Sequence, residues 1–268
     1  MTQLHGRIAV VTGAAMGMGR MLSSLLLEEG CRVALVDVNE EMLQTTQKEL
    51  SRKGDCMAYP CDISDSAAVY KLAKSIESEF GDATLLINNA GIVKAGRLLE
   101  LEDKVIEKTI SVNLTAQFWT VKAFLPKMIE LNDGHIINFA SAGGILSIPC
   151  LSAYCASKFG VIGFTDAIRQ EMKKEKRNIR FTVVCPNTVN TGMFKGAKMV
   201  TGTRMLKPET VCHQVLKGIK GNKAVIAVPS VPVKIVTPLL KTLLPVNVMD
   251  RMNKMLGMWD ANDTWTGR

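Results

Sequence analysis

The chain has 268 residues, a formal net charge of +8 and a 47% hydrophobic composition, a size that fits one α/β domain better than two small ones. No apolar run reaches the roughly 18–20 residues of a spanning helix. Seven scattered cysteines (Cys31, Cys56, Cys61, Cys150, Cys155, Cys185 and Cys212) without a CxxC, and three separated histidines without HxH or HExxH, argue against a disulfide framework and a metal site. The positive charges spread through helical stretches, with denser sets from Lys173 to Arg180 and from Lys195 to Lys207. No basic arm interleaves with aromatics, so the charge reads as a solvated surface, or as attraction to an anionic cofactor or membrane surface, and not as a nucleic-acid site. The opening "MTQLHGRIAVVTG" starts a strand pattern at once and leaves no room for a secretory signal, so a soluble cytoplasmic protein is expected.

The first predicted strand is "RIAVVTG" (7–13), and "VVTGAAMGMGR" runs from it into a helix. Gly13, Gly17 and Gly19, with Met18 among them, suit a tight turn whose backbone approaches a pyrophosphate at a helix N-terminus. The second strand, "CRVALVD" (31–37), ends on Asp37, with Val38 next. A carboxylate there accepts both ribose hydroxyls of an adenosine and repels a 2′-phosphate. No basic residue stands at Val38 or Asn39 or just before Gly17, so NAD(H) is preferred over NADP(H); Arg20 is the contrary sign. The third strand, "CMAYPCD" (56–62), ends on Asp62, followed by Ile63. Asp62 can meet an adenine amino group or cap the next helix, for which Ser64 and Asp65 are better placed. The fourth strand, "ATLLINN" (83–89), leads into Asn89, Ala90 and Gly91, small enough to leave room for a cofactor.

The remaining strands are "HIINFAS" (135–141), "IRFTVVCP" (179–186), ending on Pro186, and "KAVIAVP" (223–229). All seven are near-continuous apolar runs, as strands covered on both faces must be. Alternation with helical stretches gives a single doubly wound, Rossmann-type domain over 1–268: a parallel seven-stranded sheet with helices on both faces. The apolar, Met-rich stretch at about 229–258 contains Pro229, Pro232, Pro238 and Pro245, which are expected to divide it into short helices. It reads as a tail packed on the core or a partner subunit, as a lipophilic wall for a substrate, or as a patch on a membrane.

"SAYCASKFG" (152–160) holds the chemistry. On a helix over 152–176, Tyr154 and Lys158 share a face one turn apart. A phenol of pKa about 10 is a poor base near neutral pH, and an adjacent ammonium lowers it. The pair suits proton transfer at an alcohol oxygen while hydride moves to or from a nicotinamide. Ser141 can hold the same oxygen, and Asn113 in "SVNLTA" can join a water chain from Lys158 to solvent. Cys155 points about 100° away from Tyr154 and has no partner histidine nearby, so it reads as packing.

These motifs together resemble the short-chain dehydrogenase/reductase family over nearly the whole chain: "TGAAMGMG", "NNAG", the serine of "NFASAGG", "YCASK" and "CPNTVNTG" occur in its order. The resemblance implies a catalytic tetrad of Asn113, Ser141, Tyr154 and Lys158, with Lys158 also on the nicotinamide ribose and Val189 and Thr191 on the carboxamide. Asn187 replaces the family's usual glycine after Pro186. "VDVN", "CPNTVNTGMFKG", "LKPE" and the late "LLP" are similar to the subgroup of retinol and 17β-hydroxysteroid dehydrogenases. That implies a hydroxysteroid- or retinoid-like substrate under a lid at about 188–207, and a homodimer or homotetramer through helices at 103–131 and 152–176. Such relatives often carry an N-terminal hydrophobic anchor that is not found here, which points to a soluble member. The alternatives are a reductase of 3-oxoacyl thioesters or small keto compounds, a non-catalytic dinucleotide sensor, and a membrane-surface scaffold acting through 228–259.

Overall fold

The computed structural model describes residues 2–265 and Gly267. Seven strands form one parallel sheet: β1 (Ile8–Thr12), β2 (Arg32–Asp37), β3 (Cys56–Pro60), β4 (Ala83–Asn88), β5 (Gly134–Phe139), β6 (Ile179–Pro186) and β7 (Val225–Val228). Their order across the sheet is β3-β2-β1-β4-β5-β6-β7. Successive side chains serve opposite faces. Ala9 and Val11 of β1 join one core while Ile8 and Val10 join the other, and Val33 and Leu35 of β2 part from Ala34 and Val36 in the same way.

Helices α1 (Gly17–Glu28), α2 (Glu40–Leu50) and α7 (Pro208–Lys220) cover the first face. Helices α3 (Ser66–Glu79), α5 (Ala116–Leu131) and α6 (Ser152–Lys174) cover the second. Between α4 (Asp103–Ile110) and α5 lies a π-helical turn, Ser111–Thr115, that carries Asn113. Each of the seven strands lies within two residues of its expected bounds. β5 ends at Phe139, short of Ser141, because Ser141 opens a tight turn and its Oγ accepts from Gly143 N at 3.1 Å. Asp65, and not Ser64, caps α3, accepting from the amides of Ala67 and Ala68.

The stretch after β7 departs from expectation at Pro238. A π-helical turn, Pro232–Val236, runs directly into α8 (Thr237–Leu243), and the chain breaks only at Pro245 before α9 (Val246–Met255). The π turn already shifts the hydrogen-bond ladder there, so the missing N–H of Pro238 need not end the helix. Among the described residues no helix is long and apolar enough to cross a membrane, and no three acidic, histidine or cysteine side chains gather as a metal site.

At the amino end of the sheet His135 is fully buried, bonded to Thr2 Oγ1 at 2.9 Å and to Thr182 Oγ1 at 2.7 Å. Burial, helped by Arg180 and Arg7, pushes its pKa from 6.5 to about 3. The unfolded chain therefore binds a proton between those values that the native protein does not, and stability falls as pH drops through that window. Urea titrations from pH 7 to pH 4 are expected to show this loss, and a His135→Gln variant a shallower one.

Candidate active site

The glycine turn after β1 is shaped by close approach. Gly13 and Gly17 take positive φ, at 69° and 57°. A Cβ on Gly19 would fall 2.0 Å from the Gly13 carbonyl, so no larger residue fits there without moving the turn. Asn89 lies beneath the turn: its Nδ2 donates to the carbonyls of Thr12 at 3.0 Å and Gly13 at 3.3 Å. Thr12 Oγ1 accepts from the amides of Asn89 and Ala90, both at 3.1 Å. These bonds join the ends of β1 and β4 side by side. Helix α1 opens directly after this turn, and its N-cap residue, Met16, makes no side-chain cap hydrogen bond.

Asp37 stands at the carboxyl end of β2 with its carboxylate already oriented. Oδ2 accepts from Ala15 N and Oδ1 from Asn39 N, each at 3.0 Å. Val38 beside it is 70% exposed. Arg20 is drawn to Glu49 in an ion pair, away from a role as a 2′-phosphate ligand. Asp62 turns its carboxylate to Ser64 and, at 2.9 Å, to Lys108. Burial raises its pKa, but the Ser64 and Lys108 bonds together hold it below the usual range. Ile63 and Val189 send their side chains into the cores, and Met18 packs on one, so only their backbones are left to meet a cofactor. Thr191 faces the glycine turn, its Cβ 3.6 Å from a Cβ built on Gly17, and Pro186 ends β6 close by in sequence. The glycines, the fixed Asp37 and the start of α1 fit the phosphates and ribose of a dinucleotide.

The four catalytic candidates meet at the neighbouring strand ends. Lys158 is 4% exposed; its Nζ donates to the Phe139 carbonyl at 2.8 Å and lies 5.8 Å from the Tyr154 ring centroid. A Cβ on Gly91 would lie 3.5 Å from that Nζ and 3.2 Å from Asn113 Oδ1, which places all three together. A Cβ on Gly143 would lie 3.4 Å from the Tyr154 ring and 3.5 Å from Ser141 Oγ, which places those two side chains together. Asn113 is held from two sides. Its Oδ1 accepts from Ile92 N at 2.8 Å, and its Nδ2 donates to Ile92 O at 2.9 Å and Ser157 Oγ at 3.2 Å. The side chain is thus a brace between loop and helix.

The expected lowering of the tyrosine pKa is not found in the protein alone. Burial pushes Tyr154 up to about 12, with the Ser141 hydroxyl pulling the other way, and burial brings Lys158 down to about 8. Cys155 is buried, with its thiol pushed up by burial, and it packs with Tyr154, Val93 and Leu151. That is the packing role expected of it.

Several contributors have no motif. The Phe139 carbonyl is a backbone acceptor and leaves no mark in the sequence. Ser157 and Thr12 lie inside motifs but read as spacers. The C-terminal residues also reach the lid region, where Trp265 Nε1 donates to Met193 O at 3.1 Å and Thr264 to Gly196 O at 2.8 Å, and the loop before α6, where Asn262 donates to Pro149 O at 3.1 Å. A tryptophan in the polar run "DANDTWTGR" was the only hint of this.

The family model for short chain dehydrogenases matches residues 7–199. The chain belongs to that family of oxidoreductases. It is 37% identical to retinol dehydrogenase 10-B of Danio rerio, over 95% of this chain and 83% of that protein. It is also 37% identical to estradiol 17-beta-dehydrogenase 11 of Macaca fascicularis, over 84% and 75%. A short chain dehydrogenase/reductase from Burkholderia phymatum, solved with NAD, superposes with a TM-score of 0.82 at 25% identity, covering 94% of this chain and 97% of that one.

A lysine this buried is a burden on the fold. Its lowered pKa corresponds to destabilisation on the order of 3 kcal/mol at neutral pH, since a unit is about 1.4 kcal/mol. Removing it also orphans the Phe139 carbonyl, at about 1–3 kcal/mol. Lys158→Met is therefore expected to match or exceed the wild type in urea stability, by up to about 2 kcal/mol, while losing turnover.

Proposed function

We propose that this protein is an NAD(H)-dependent dehydrogenase of lipophilic alcohols, exchanging hydride with a hydroxysteroid- or retinoid-like substrate. The observation that carries this reading is the convergence of Tyr154, Lys158 and Ser141 beside a glycine turn whose ribose-side acid, Asp37, is already oriented.

When bound, NAD⁺ supplies the hydride acceptor and a positive charge on its nicotinamide ring. Tyr154 Oη takes the alcohol proton in oxidation, or gives one to the carbonyl oxygen in reduction. Ser141 donates to the same oxygen and fixes its distance from Tyr154. Lys158, held by the Phe139 carbonyl, puts an ammonium near the phenol and favours the phenolate as the proton leaves. Asn113 keeps the Ile92 loop and α6 in register so that these groups stay aligned.

The lipophilic assignment rests on what surrounds Tyr154. Phe194 stands edge-on to its ring, with centroids 6.1 Å apart, and Val93, Leu151, Met193 and Trp265 gather around it. Relatives named for retinol and estradiol agree with such a wall. NAD(H) over NADP(H) is supported by Asp37 and by the pairing of Arg20 with Glu49. A reducing compartment suits seven cysteines that are all free. A homodimer or homotetramer through the helices at 103–131 and 152–176 is supported by Phe118, 39% exposed, whose ring lies 4.0 Å from that of Phe164 at a 30° tilt.

The test is reduction of NAD⁺ and NADP⁺, followed by absorbance, over hydroxysteroids, retinol, aliphatic alcohols and hydroxyacyl thioesters. Turnover of a steroid or retinoid with NAD⁺ is expected, falling at least about 1,000-fold in Tyr154→Phe while NADH binding persists. Turnover confined to thioesters would overturn the substrate class, and confinement to NADP⁺ the reading of Asp37.

A further inference from the structure

Ten of the eighteen large apolar side chains exposed among the described residues lie between 231 and 259. Val231, Ile235, Leu239 and Leu243 recur every fourth residue along the π turn and α8, so they form one stripe. Each is 54% to 68% exposed. Val246 and Met255, at the two ends of α9, reach 76% and 83%. Val233 and Met249 face inward at 5% and 9% and fasten these helices to the body. Single exposed apolar residues need no explanation, but a run of this extent marks a contact surface.

The charges choose the partner. From 229 to 259 the ionisable side chains are Lys234, Lys241, Arg251 and Lys254, against Asp250 alone. Lys241 reaches back to the Ile145 carbonyl at 3.0 Å and lies over the Phe159 ring, and Lys254 lies over the Trp259 ring. Two copies of this face meeting each other would oppose like charges. An anionic lipid surface takes both parts: phosphates meet the basic side chains, and the acyl boundary receives the apolar stripe. We propose that residues 231–259 dock this protein on an anionic lipid membrane, as a surface contact and not a span.

The placement also bears on the substrate. Asp250, Asn253, Met258 and Trp259 border a cavity of about 540 Å³ whose far wall includes Cys155, the neighbour of Tyr154 in the apolar cluster. A docked 231–259 surface would set that cavity beside the lipid; this last step alone rests on the lipophilic-substrate reading above.

The test is co-sedimentation of the full chain with phosphatidylcholine vesicles, and with vesicles in which phosphatidylserine replaces part of that lipid. Binding to the anionic vesicles is expected, weakening with salt. It should fall about fivefold for each of Lys234→Ala and Arg251→Ala, and be lost in Leu239→Asp/Leu243→Asp. That double variant should keep the wild-type elution volume in size-exclusion chromatography and the wild-type turnover of a water-soluble alcohol. Absence of wild-type binding, or unchanged binding in the double variant, would overturn the proposal. So would a double variant that elutes as a smaller species, since the face would then join copies of the chain. Vesicle binding with no steroid or retinoid turnover would support docking and sink only the substrate reading.

Discussion

One amide side chain holds the site together. Asn113 sits on a π-helical turn and bonds both backbone groups of Ile92 and the hydroxyl of Ser157. It thereby ties the loop after β4, the start of α5 and the first turns of α6 to one another. It is fully buried, so an aspartate or alanine in its place would leave donors or acceptors unpaired at about 1–3 kcal/mol each. A plain α-helical turn would lack the extra residue that a π bulge inserts, and such bulges are frequent at functional sites. The bond to Ser157 falls on α6 between Tyr154 and Lys158, next to the group that meets the Phe139 carbonyl.

The second constraint is electrostatic. Tyr154 and Lys158 are both buried, and burial disfavours each in its charged form, raising the phenol to about 12 and lowering the ammonium to about 8. The protein alone therefore stores a protonated phenol beside an amine that is close to losing its charge. A positive nicotinamide beside the phenol acts in the opposite sense, favouring the phenolate. In the function proposed above, the cofactor's charge is what offsets the burial of the phenol and brings it toward neutral pH.

Much of this was legible in the sequence. Strands buried on both faces have to be apolar throughout, which made the seven runs and their order readable from "RIAVVTG" to "KAVIAVP". The glycine turn, Asp37 and the Tyr154–Lys158 spacing were readable because side-chain identity and spacing carry those functions. Backbone acceptors were not: nothing in the residue name of Phe139 marks its carbonyl as the anchor of Lys158. Asn113 was found, but its bracing bonds were not, since its partners Ile92 and Ser157 are distant in sequence. The contact of Trp265 with the Met193 carbonyl spans 72 positions and carries no local pattern. In the tail, composition showed apolar character, but only the path through Pro238 reveals that the exposed residues form one stripe.

The central claim is that Tyr154 is the acid/base group and that cofactor charge brings it into range. Ultraviolet difference titration of wild type against Tyr154→Phe isolates this phenol from the other two tyrosines. Without cofactor, Tyr154 is predicted to give no phenolate absorbance at the ordinary tyrosine pKa of about 10. With NAD⁺ bound, its phenolate should appear at distinctly lower pH than in the free protein. A Tyr154 titration that NAD⁺ leaves unchanged, or one already below its ordinary value in the free protein, would contradict the account.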